Sequence, residues 1–530
     1  MYYLCNQHNI INQNHTIMKR LFPTKMLALM ALLMCSMSAL AQEAYAVITT
    51  DNTTDNMTLT FYYDTQRNTR PGTIYNLNDG NYFPTWAYYD ITTLVTQVIF
   101  DPSFASARPT STSGWFYNMN NLESIERIEY LNTSEVKYMY AMFYNCSGLT
   151  SLNVSNFNTA KVTDMSSMFY NCSGLTNLDV SSFNTANVID MNNMFYYCSG
   201  LSSLDLSNFN TANVKYMAGM FDNCLSLSNL DVSSFNTEQV TNMGAMFFKC
   251  ESLTSLDLSN FNTEQVTNMN NMFTDCHSLT NLDLSNFNTE QVTSMNSMFA
   301  DCHSLTNLDV SNFNTEQVTS MGSMFYKCYG LTSLDLSNFN TQQVTSMAWM
   351  FSSCINLLNL DVNSFNTEQV TDMTCMFEYC YGLTSIDLSR FNTHEVTTMS
   401  FMFRSSYNLA TIYVSNYWNT DNVTGSRNMF YDCFSLVGGL GTAYDVNHLD
   451  AAYAHIDGGP DNPGYFSPFV LERGDLNGDG IADISDVTAL VDYILNDNSS
   501  GIYLEAADVN GDGRIDVSDV TALIDYLLNG

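Results

Sequence analysis

The feature that most constrains how this chain can fold is an internal repeat of 26 residues. Cysteine recurs ten times at that step, and the Asn of a Phe-Asn-Thr triplet keeps the same step from Asn158 to Asn392. Degenerate copies at residues 131–133 and 418–420 bring the number of units to twelve. A fixed period of about 20–50 residues is typical of stacked units, each of which needs its neighbours to bury its apolar face. We therefore predict twelve stacked coils over residues 121–436.

Residues 253–278 form a typical unit. Leu256 and Leu258 alternate with Asp257, the period of two that predicts a strand with one buried face. The second half of the unit carries five apolar residues at spacings of three, three, one and three: Val266, Met269, Met272, Phe273 and Cys276. That spacing fits a short helix or a strand followed by a tight helical turn, and the sequence does not separate the two. The expected fold class is a repeat solenoid with a parallel β-sheet on one face and short helices or turns on the other.

Both ends of the repeat array differ in composition from the repeats. Residues 42–120 contain strand-like runs at 44–50, 57–64 and 95–100, and residues 115–125 mimic a degenerate first coil. This segment is expected to be an N-terminal cap. Residues 437–473 lose the period and contain Gly, Asp and Pro, which predicts a C-terminal cap running into a linker. We expect few contacts across that linker and an independent domain over residues 474–530.

Residues 475–486 and 508–519 have the pattern of twelve-residue calcium loops. Calcium takes about six to eight oxygen ligands, and a loop that supplies them from positions 1, 3, 5, 7, 9 and 12 wraps the ion. In the first loop these positions are Asp475, Asn477, Asp479, the Ile481 carbonyl, Asp483 and Asp486. In the second loop they are Asp508, Asn510, Asp512, the Arg514 carbonyl, Asp516 and Asp519. Each loop runs into one amphipathic helix, so we predict a small all-α domain with two calcium ions.

The charge balance excludes a class of partner. The chain has 53 acidic against 17 basic residues and a formal net charge of −36. A nucleic-acid-binding surface needs clustered Lys and Arg, so DNA and RNA are not expected partners. An acidic surface favours cations and partners that are neutral or basic.

Residues 1–41 are interpreted as a leader and a secretory signal peptide. Met18 is a plausible start, because it precedes a basic segment, an apolar core over residues 26–34 and the Ala-Leu-Ala pattern of a cleavage site before Gln42. A lipoprotein site at Cys35 is disfavoured by the bulky Met34. No other run approaches the ~20 apolar residues of a membrane helix, so we expect no span in the mature chain and a secreted or cell-surface location.

One acidic position recurs in nine units and forms a possible ligand stripe: Asp179, Asp205, Asp231, Asp257, Asp283, Asp309, Asp335, Asp361 and Asp387. In stacked strands these carboxylates would repeat every ~4.8 Å, close to the spacing in a retaining glycosidase. An acid and a base, however, need two different environments, and nine equivalent positions supply nine similar ones. A solvated or ligand-contacting stripe is therefore preferred over catalysis. We also find no phosphate-binding, dinucleotide-binding or serine-nucleophile motif, and expect no enzyme activity.

The ten aligned cysteines are Cys146, Cys172, Cys198, Cys224, Cys250, Cys276, Cys302, Cys328, Cys354 and Cys380. Their equivalent positions beside Met and Phe predict buried thiols rather than inter-coil disulfides, although an exported chain could form either. The off-register Cys375 is the expected exposed thiol. His277 and His303 are equivalent positions in adjacent units, and without a third ligand type they are interpreted as solvated rather than zinc-binding.

The unit L-D-[LV]-S-x-F-N-T-x-x-V-T-x-M-x-x-M-F-x-x-C looks like the 26-residue leucine-rich repeat of BspA-like bacterial surface proteins. The resemblance covers about 320 residues and implies a binding or adhesion function. An inward Asn ladder is inferred by analogy with leucine-rich repeats, although Phe occupies the usual Asn position.

The loop–helix, linker, loop–helix order of residues 474–530 resembles a type I dockerin, which implies a cohesin on a scaffold or envelope protein as partner. The positions that match the recognition residues of that family are Ile484, Ser485, Val517 and Ser518. Ile and Val replace a frequent hydroxyl residue there, which leaves cohesin specificity open. The favoured function is a binding or adhesion solenoid, with an unknown protein or glycan ligand, anchored by its dockerin. The alternative is a carbohydrate-active or polysaccharide-binding subunit of a cellulosome-like assembly.

Overall fold

The structure is a computed structural model that describes residues 42–469, 473–477, 481–496 and 502–529. The expected leader and signal peptide over residues 1–41 lie outside the described residues. The chain forms two compact units that divide between Asn184 and Thr185. Both contain coils of the repeat, and each is described by itself.

The first unit begins with a five-stranded sheet in the order β3-β1-β2-β4-β5. Its strands are β1 (Glu43–Thr50), β2 (Met57–Asp64), β3 (Thr73–Asn76), β4 (Val95–Phe100) and β5 (Ser124–Glu126). β1 pairs antiparallel with β2 and β3, whereas β4 pairs parallel with β2 and β5. The three runs expected to be strands are β1, β2 and β4, so that prediction is confirmed.

Aromatic packing joins this sheet to the first coil. The Phe61 ring stacks on Phe100 and on Trp115, with centroids 4.8 Å apart in both pairs. Trp86 Nε1 donates a hydrogen bond to the Trp115 carbonyl over 2.9 Å. Phe116 then donates its backbone N–H to Met142 of the next coil, which confirms the degenerate first coil expected over residues 115–125. The N-terminal sheet thus covers the apolar end of the stack, as a solenoid cap must.

Within each coil the V-T-x-M-x-x-M-F segment is closest to the second of the two expected alternatives, a strand followed by a tight turn. The strand is reduced to an isolated parallel β-bridge, as at Asn268 with Asn242 and Ser294, and turns follow it directly. In the unit at residues 253–278, Met272, Thr274 and Cys276 donate their N–H groups three residues back, each over 3.2 Å. The alternate residues 269, 271, 273 and 275 donate instead to carbonyls of the next coil, over 2.8–3.3 Å. The segment is a row of tight turns, and its ladder runs between coils.

This alternation requires two left-handed residues per coil, four positions apart. Asn271 and Asp275, for example, have φ values of 57° and 59°. A left-handed conformation costs a residue other than Gly roughly 1–2 kcal/mol. It persists here because the N–H of each such residue is held by a carbonyl of the neighbouring coil. Cys375 occupies one of these left-handed positions, with φ 55°, which explains why it is off the cysteine register.

The expected parallel sheet on the Leu-x-Leu face is reduced to short pieces. Its strands are β6 (Ser203–Leu204), β7 (Asn229–Leu230), β8 (Ser385–Asp387), β9 (Thr411–Val414) and β10 (Ser467–Pro468). β6 pairs with β7, and β8, β9 and β10 form a three-stranded parallel sheet. The leucines are buried as predicted, with Leu256 8% and Leu258 1% exposed. The extended run stays short because Asp257 accepts a hydrogen bond from the backbone of Ser259 and bends the chain.

Buried polar ladders connect successive coils. In the Phe-Asn-Thr triplet the Thr is inside and the Asn is exposed, so the inferred inward Asn ladder is wrong. Thr263 Oγ1 donates a hydrogen bond to the Asn288 carbonyl over 2.7 Å and accepts one from the Asn288 N–H over 2.8 Å. The equivalent bond from the Asn262 N–H to Thr237 Oγ1 measures 2.7 Å. Threonine fits because its hydroxyl is both donor and acceptor on a short, stiff side chain. The Asn side chain instead accepts a hydrogen bond from the backbone N–H two residues later, as Asn262 does from Glu264.

The second unit ends in an irregular cap and three helices. Asp457 lies buried in the cap, where burial alone would raise its pKa. Hydrogen bonds from Thr442, Gly459 and Leu440 outweigh the effect of burial and lower the pKa of Asp457.

The α-helices are α1 (Ile484–Asn496), α2 (Leu504–Ala507) and α3 (Val517–Asn529). Seven short 3-10 helices complete the described structure: Arg67–Thr69, Thr85–Tyr88, Asp90–Leu94, Pro102–Ser106, Ile128–Tyr130, Ala451–Tyr453 and Gly459–Asp461.

Candidate functional site

The second loop of the C-terminal domain closes on its first carboxylate. Asp508 Oδ1 accepts the N–H groups of Gly511 and Asp512 over 2.8 and 3.0 Å, and Oδ2 accepts that of Gly513 over 2.9 Å. Gly513 has φ 85°, a left-handed value that suits Gly and lets the loop turn sharply at this position. The N–H of Arg514 is donated to Asp512 Oδ1, which turns the Asp512 side chain toward the loop.

The last carboxylate of each loop is fully buried. Asp519 accepts the N–H groups of Asn510 and Asp516 over 3.0 and 2.9 Å. Asp486 repeats this arrangement with the N–H groups of Asn477 and Asp483 over 2.9 and 2.8 Å. Among the described residues, no Lys, Arg or His forms an ion pair with either carboxylate. A buried carboxylate without a cation is costly, because its hydration is lost without compensation.

The donor set of these loops fits calcium. All the predicted ligand atoms are hard oxygens, and two loops 33 residues apart make the same internal hydrogen bonds. Asp479 lies outside the described residues, so the first loop cannot be traced in full. In the second loop no three carboxylate oxygens lie within 4.8 Å of one another, because each is turned toward backbone amides. Bound calcium would neutralise the buried carboxylates and fix the entry of each loop into its helix.

The four positions matched to cohesin recognition divide into two kinds. Ile484 and Val517, the first residues of α1 and α3, are 72% and 66% exposed. The hydroxyls of Ser485 and Ser518 are each bonded inside their own loop, to Asp483 and Asp516 respectively, over 2.6 Å. Each serine also accepts a hydrogen bond from the amide of the Asn at position 3 of its loop, over 2.7–2.8 Å. The apolar side chains are therefore the ones free to contact a partner.

Of the apolar residues expected to face inward on the two helices, Leu490 and Leu523 are fully buried and Val487 is 8% exposed. They pack with Leu476, Ile502 and other buried residues of the domain. Ile524, the residue after Leu523 in α3, is instead 41% exposed. The domain is so small that α1 and α3 bury only a narrow face against each other.

The C-terminal domain also contacts a coil, which the expectation of few contacts did not foresee. The Tyr503 hydroxyl lies 2.6 Å from Ser389 Oγ, and its ring stacks on Phe469 with centroids 5.2 Å apart. The Tyr503 N–H is donated to the carbonyl of Leu476 in the first loop, over 2.7 Å. Tyr503 thus links the first loop of the C-terminal domain to a coil of the repeat.

Arg390 completes this contact from the coil side. Its guanidinium carbon lies 3.8 Å from the centroid of the Tyr503 ring, and Nη1 donates to the Ile502 carbonyl over 3.2 Å. Its Nε and Nη2 atoms are buried without a hydrogen-bond partner. The regular units have Asn or Ser at this position. The sequence signal for this contact was therefore one positively charged residue where the equivalent residues of the other units are neutral.

Arg390 also borders an open polar groove of about 570 Å³. The lining is dominated by amide side chains from successive coils, with Tyr417 at one side. The amides come from Asn338, Asn340, Gln342, Asn363, Asn366 and Asn392. Uncharged amide donors and acceptors of this kind suit a hydroxyl-rich ligand.

The acidic stripe is exposed along most of its length. In Asp179, Asp231, Asp257, Asp283, Asp309 and Asp335, hydrogen bonds from the Ser two residues on lower the carboxyl pKa. Six carboxylates in the same environment are all ionised at neutral pH, an arrangement that supplies no separate acid and base. Asp387 differs, because burial raises its pKa against the hydrogen bonds from Ser389. Asp387 lies beside the Tyr503 contact. The expectation that all nine carboxylates of the stripe have similar environments is therefore wrong for this one.

The described cysteines are free thiols and all are buried. This agrees with the expectation for the ten aligned positions, in which Sγ donates to a Phe carbonyl of the preceding coil, as from Cys276 to Phe247 over 3.2 Å. Cys375 is 1% exposed, so the prediction of an exposed thiol there is wrong. The Cys375 thiol instead lies against the buried carboxylate of Glu378. His277 and His303 are half-buried rather than solvated.

Comparison with known proteins gives two family matches. The family described as "Mycoplasma protein of unknown function, DUF285" matches residues 110–229, 198–307, 246–359, 275–389 and 356–458. The family described as "Dockerin type I domain" matches residues 473–528. A search of curated proteins gives no significant match. No helix among the described residues is long and apolar enough to cross a membrane.

Two solved structures are similar to parts of the chain. A leucine-rich cell surface protein from Faecalibacterium prausnitzii A2-165 shares 18% identity, with 59% of this chain and 91% of that chain covered and a TM-score of 0.28. A leucine-rich repeat protein from Eubacterium ventriosum ATCC 27560 shares 14% identity, with 72% and 94% covered and a TM-score of 0.29. The family matches overlap to cover residues 110–458, and the resemblance to a repeat protein with a dockerin is confirmed. The chain therefore belongs to the DUF285 family and carries a dockerin type I domain at its C-terminal end.

Proposed function

We propose that this chain is a secreted or surface-displayed binding protein, held on a cohesin-bearing scaffold or envelope protein by its dockerin. The observation that carries the proposal is the pair of loops whose buried carboxylates, Asp486 and Asp519, lack a cationic partner among the described residues. Two calcium ions, one per loop, would satisfy them. Cohesin binding then depends on calcium, because the ions fix the ends of α1 and α3 from which the partner is contacted.

The surface that we assign to the cohesin is centred on Ile484 and Val517. Both are exposed apolar residues at equivalent positions after the two loops. Exposed apolar groups gain free energy when a partner covers them. Ser485 and Ser518 contribute by holding the loops in shape, since their hydroxyls are already bonded there.

The repeat coils supply the ligand-binding part in this proposal, and adhesion to a protein or glycan is their function. The domain division that we propose is a cap over 42–120, coils over 121–436, a cap and linker over 437–473 and the dockerin over 474–530. The exposed, ionised stripe favours a neutral or basic ligand. Neither family that matches the chain is described as an enzyme family.

The amide-lined groove favours a second candidate, a polysaccharide-binding subunit of a scaffold-borne assembly. Three of its amides, Asn340, Asn366 and Asn392, repeat with the coils, so the groove offers equivalent hydrogen-bonding groups along one direction. A polysaccharide with a regular repeat matches such a surface. This candidate shares the dockerin and differs from the first only in the ligand.

The test of the anchoring function is calorimetric titration of the full chain with a panel of type I cohesins, in calcium and in chelator. We expect calcium-dependent binding to at least one cohesin, and a loss of roughly tenfold or more in affinity for Ile484→Asp combined with Val517→Asp, because an interface centre does not tolerate buried charge. Leu495→Asp is the matched control, because Leu495 is 74% exposed but lies at the far end of α1. Binding that is indifferent to chelator would contradict the proposal.

The ligand is tested separately by screening the same chain against glycans and host proteins. Binding to a glycan that is weakened by substitutions in the groove, such as Asn366→Ala, supports the polysaccharide candidate. Binding to a basic protein that is weakened by salt supports the adhesion candidate, because salt screens attraction to the acidic stripe.

A further inference from the structure

Two adjacent coils carry the tripeptide Asp-Cys-His, at residues 275–277 and 301–303. The cysteine is buried in both, while the Asp and His that flank it are half-buried at the surface. Asp275 and Asp301 occupy left-handed positions, with φ 59° and 57°, and each donates its N–H to the next coil. The stacking of the coils therefore places the two Asp–His pairs side by side.

The four side chains form one cluster. His277 Nε2 lies 3.3 Å from Asp275 Oδ1, and His303 Nε2 lies 3.2 Å from Asp301 Oδ1. The two imidazole rings stack with centroids 4.4 Å apart. One potential ligand atom each from His277, Asp301 and His303 lies within 4.8 Å of the other two. No other three His, Cys, Asp or Glu residues in the described part of the chain come together in this way.

We propose that this cluster binds a zinc ion or a similar divalent transition metal, through His277, His303 and Asp301. Imidazole with a carboxylate is a donor set that such ions accept, whereas calcium takes oxygen ligands. The proposal is independent of the dockerin, whose loops contain only oxygen donors. Two histidines alone did not predict a metal site; the third ligand type becomes apparent only when the coils stack.

The charges around the cluster favour a cation but include one competitor. Lys327 Nζ lies 3.1 Å from Asp301 Oδ1, so a metal ion must displace it from that oxygen. The two carboxylates still outnumber the one ammonium group. Thiols do not compete for the ion, because the adjacent Cys276 is buried and its Sγ is bonded to the Phe247 carbonyl of the preceding coil.

Binding needs a rotation of one imidazole ring. The imidazole planes are 7° from parallel, so their in-plane lone pairs point side by side rather than at one ion. One ring must therefore turn about its Cβ–Cγ bond before both nitrogens can face the same ion. The His303 ring also stacks on Tyr329, with centroids 4.5 Å apart, so His277 is the ring that moves at lower cost.

The experiment is a zinc titration of the full chain by calorimetry, in saturating calcium so that the dockerin loops are occupied. The key variant is His277→Ser combined with His303→Ser. Serine occupies the equivalent positions in three other coils, at Ser147, Ser173 and Ser199, so the variant should fold. We expect the wild-type chain to bind one more zinc equivalent than this variant. His394→Ser, which changes a histidine outside the cluster, should bind zinc like the wild type.

Lys327→Ala gives a second, independent readout. If Lys327 competes with the metal for Asp301, its removal should tighten zinc binding by roughly tenfold, a change of the size seen when groups around a metal site are altered. Equal zinc stoichiometry in the wild type and the double variant would overturn the proposal. So would an unchanged or weaker affinity in Lys327→Ala, which would mean that Asp301 is not a ligand.

Discussion

The repeat coils and the dockerin find partners for their buried polar groups in different ways. In a coil the neighbouring coil supplies the partner: the Thr263 hydroxyl bonds to Asn288, and the Cys276 thiol bonds to Phe247. In the dockerin the buried carboxylates of Asp486 and Asp519 receive backbone amides, but no cation among the described residues balances their charge. Neighbouring coils therefore stabilise one another without a ligand, whereas we expect the dockerin to depend on an ion.

The largest expected effect comes from breaking the coil register. Deletion of residues 227–252 removes one whole unit and restores the same neighbour contacts, so the chain should still fold. Deletion of residues 227–239 instead sets Leu-x-Leu runs against Val/Met segments and should abolish folding of the second unit. Thermal melts followed by tyrosine fluorescence compare the two. Similar melting of both deletions would show that coil-to-coil contacts do not determine the fold.

Calcium removal should affect only the dockerin. Among the described residues, α-helix occurs only in α1, α2 and α3, so the helical circular dichroism signal reports on this domain. A ligand at a thousand times its dissociation constant stabilises a fold by about 4 kcal/mol, and a chelator removes that contribution. We expect the helical signal to melt earlier in chelator while the coil transition stays unchanged. A coil transition that shifts by the same amount would contradict the comparison.

Asp222 is a coil residue with the same problem as the dockerin carboxylates. It is 8% exposed, and burial raises its pKa to about 6. Because the folded protein binds this proton more tightly than the unfolded chain, the stabilisation is present below pH ~4 and is lost as the pH rises through about 6. Asp222→Asn should therefore stabilise the protein at pH 7 by on the order of 2 kcal/mol and flatten the pH dependence between pH 4 and 6.

The measurement for Asp222→Asn is urea unfolding at a series of pH values. Asn keeps an oxygen for the bond from Asn223 Nδ2, which lies 2.6 Å from Asp222 Oδ1. No gain in stability at pH 7 would mean that the burial of Asp222 is relieved by other groups.

The contact between coil and dockerin can be weakened from the coil side. Arg390→Asn restores the residue found in most other units and removes both the guanidinium above Tyr503 and the bond to Ile502. We expect a loss of about 1.5–3 kcal/mol in the docking of the dockerin, the range for hydrogen bonds to charged groups. Hydrogen exchange at Tyr503 in calcium measures it. Tyr503→Phe, which loses only the bond to Ser389, is the control and should lose less.

The smallest effect is expected in the middle of the acidic stripe. Asp257→Asn removes one of several equivalent exposed carboxylates, so stability should change by less than about 0.5 kcal/mol. Ligand binding should fall only slightly, because the neighbouring Asp231 and Asp283 remain. Titration of any ligand found by the screens tests this. A large loss from this one substitution would assign Asp257 a specific role and favour the enzyme alternative.

The sequence by itself determined the features that depend on spacing along the chain. The step of 26 residues predicted stacked coils, and the buried Val266, Met269 and Phe273 lie where periodicity placed them. The alternating runs of the N-terminal cap became β1, β2 and β4. The loop–helix pattern became α1 and α3, with Asp486 and Asp519 held at the loop ends. In these cases the signal is a spacing along the chain, which the sequence shows directly.

Tertiary structure alone decided where partners come from different coils. Spacing could not show the row of turns at residues 269–276, because its left-handed residues are held by hydrogen bonds to the next coil. For the same reason Thr rather than Asn forms the inner ladder. The contact of Tyr503 with Arg390 joins residues more than a hundred positions apart. Asp301 lies close to His277 only because one coil stacks on the next. The sequence therefore contains the residues of this cluster but does not show that they lie together.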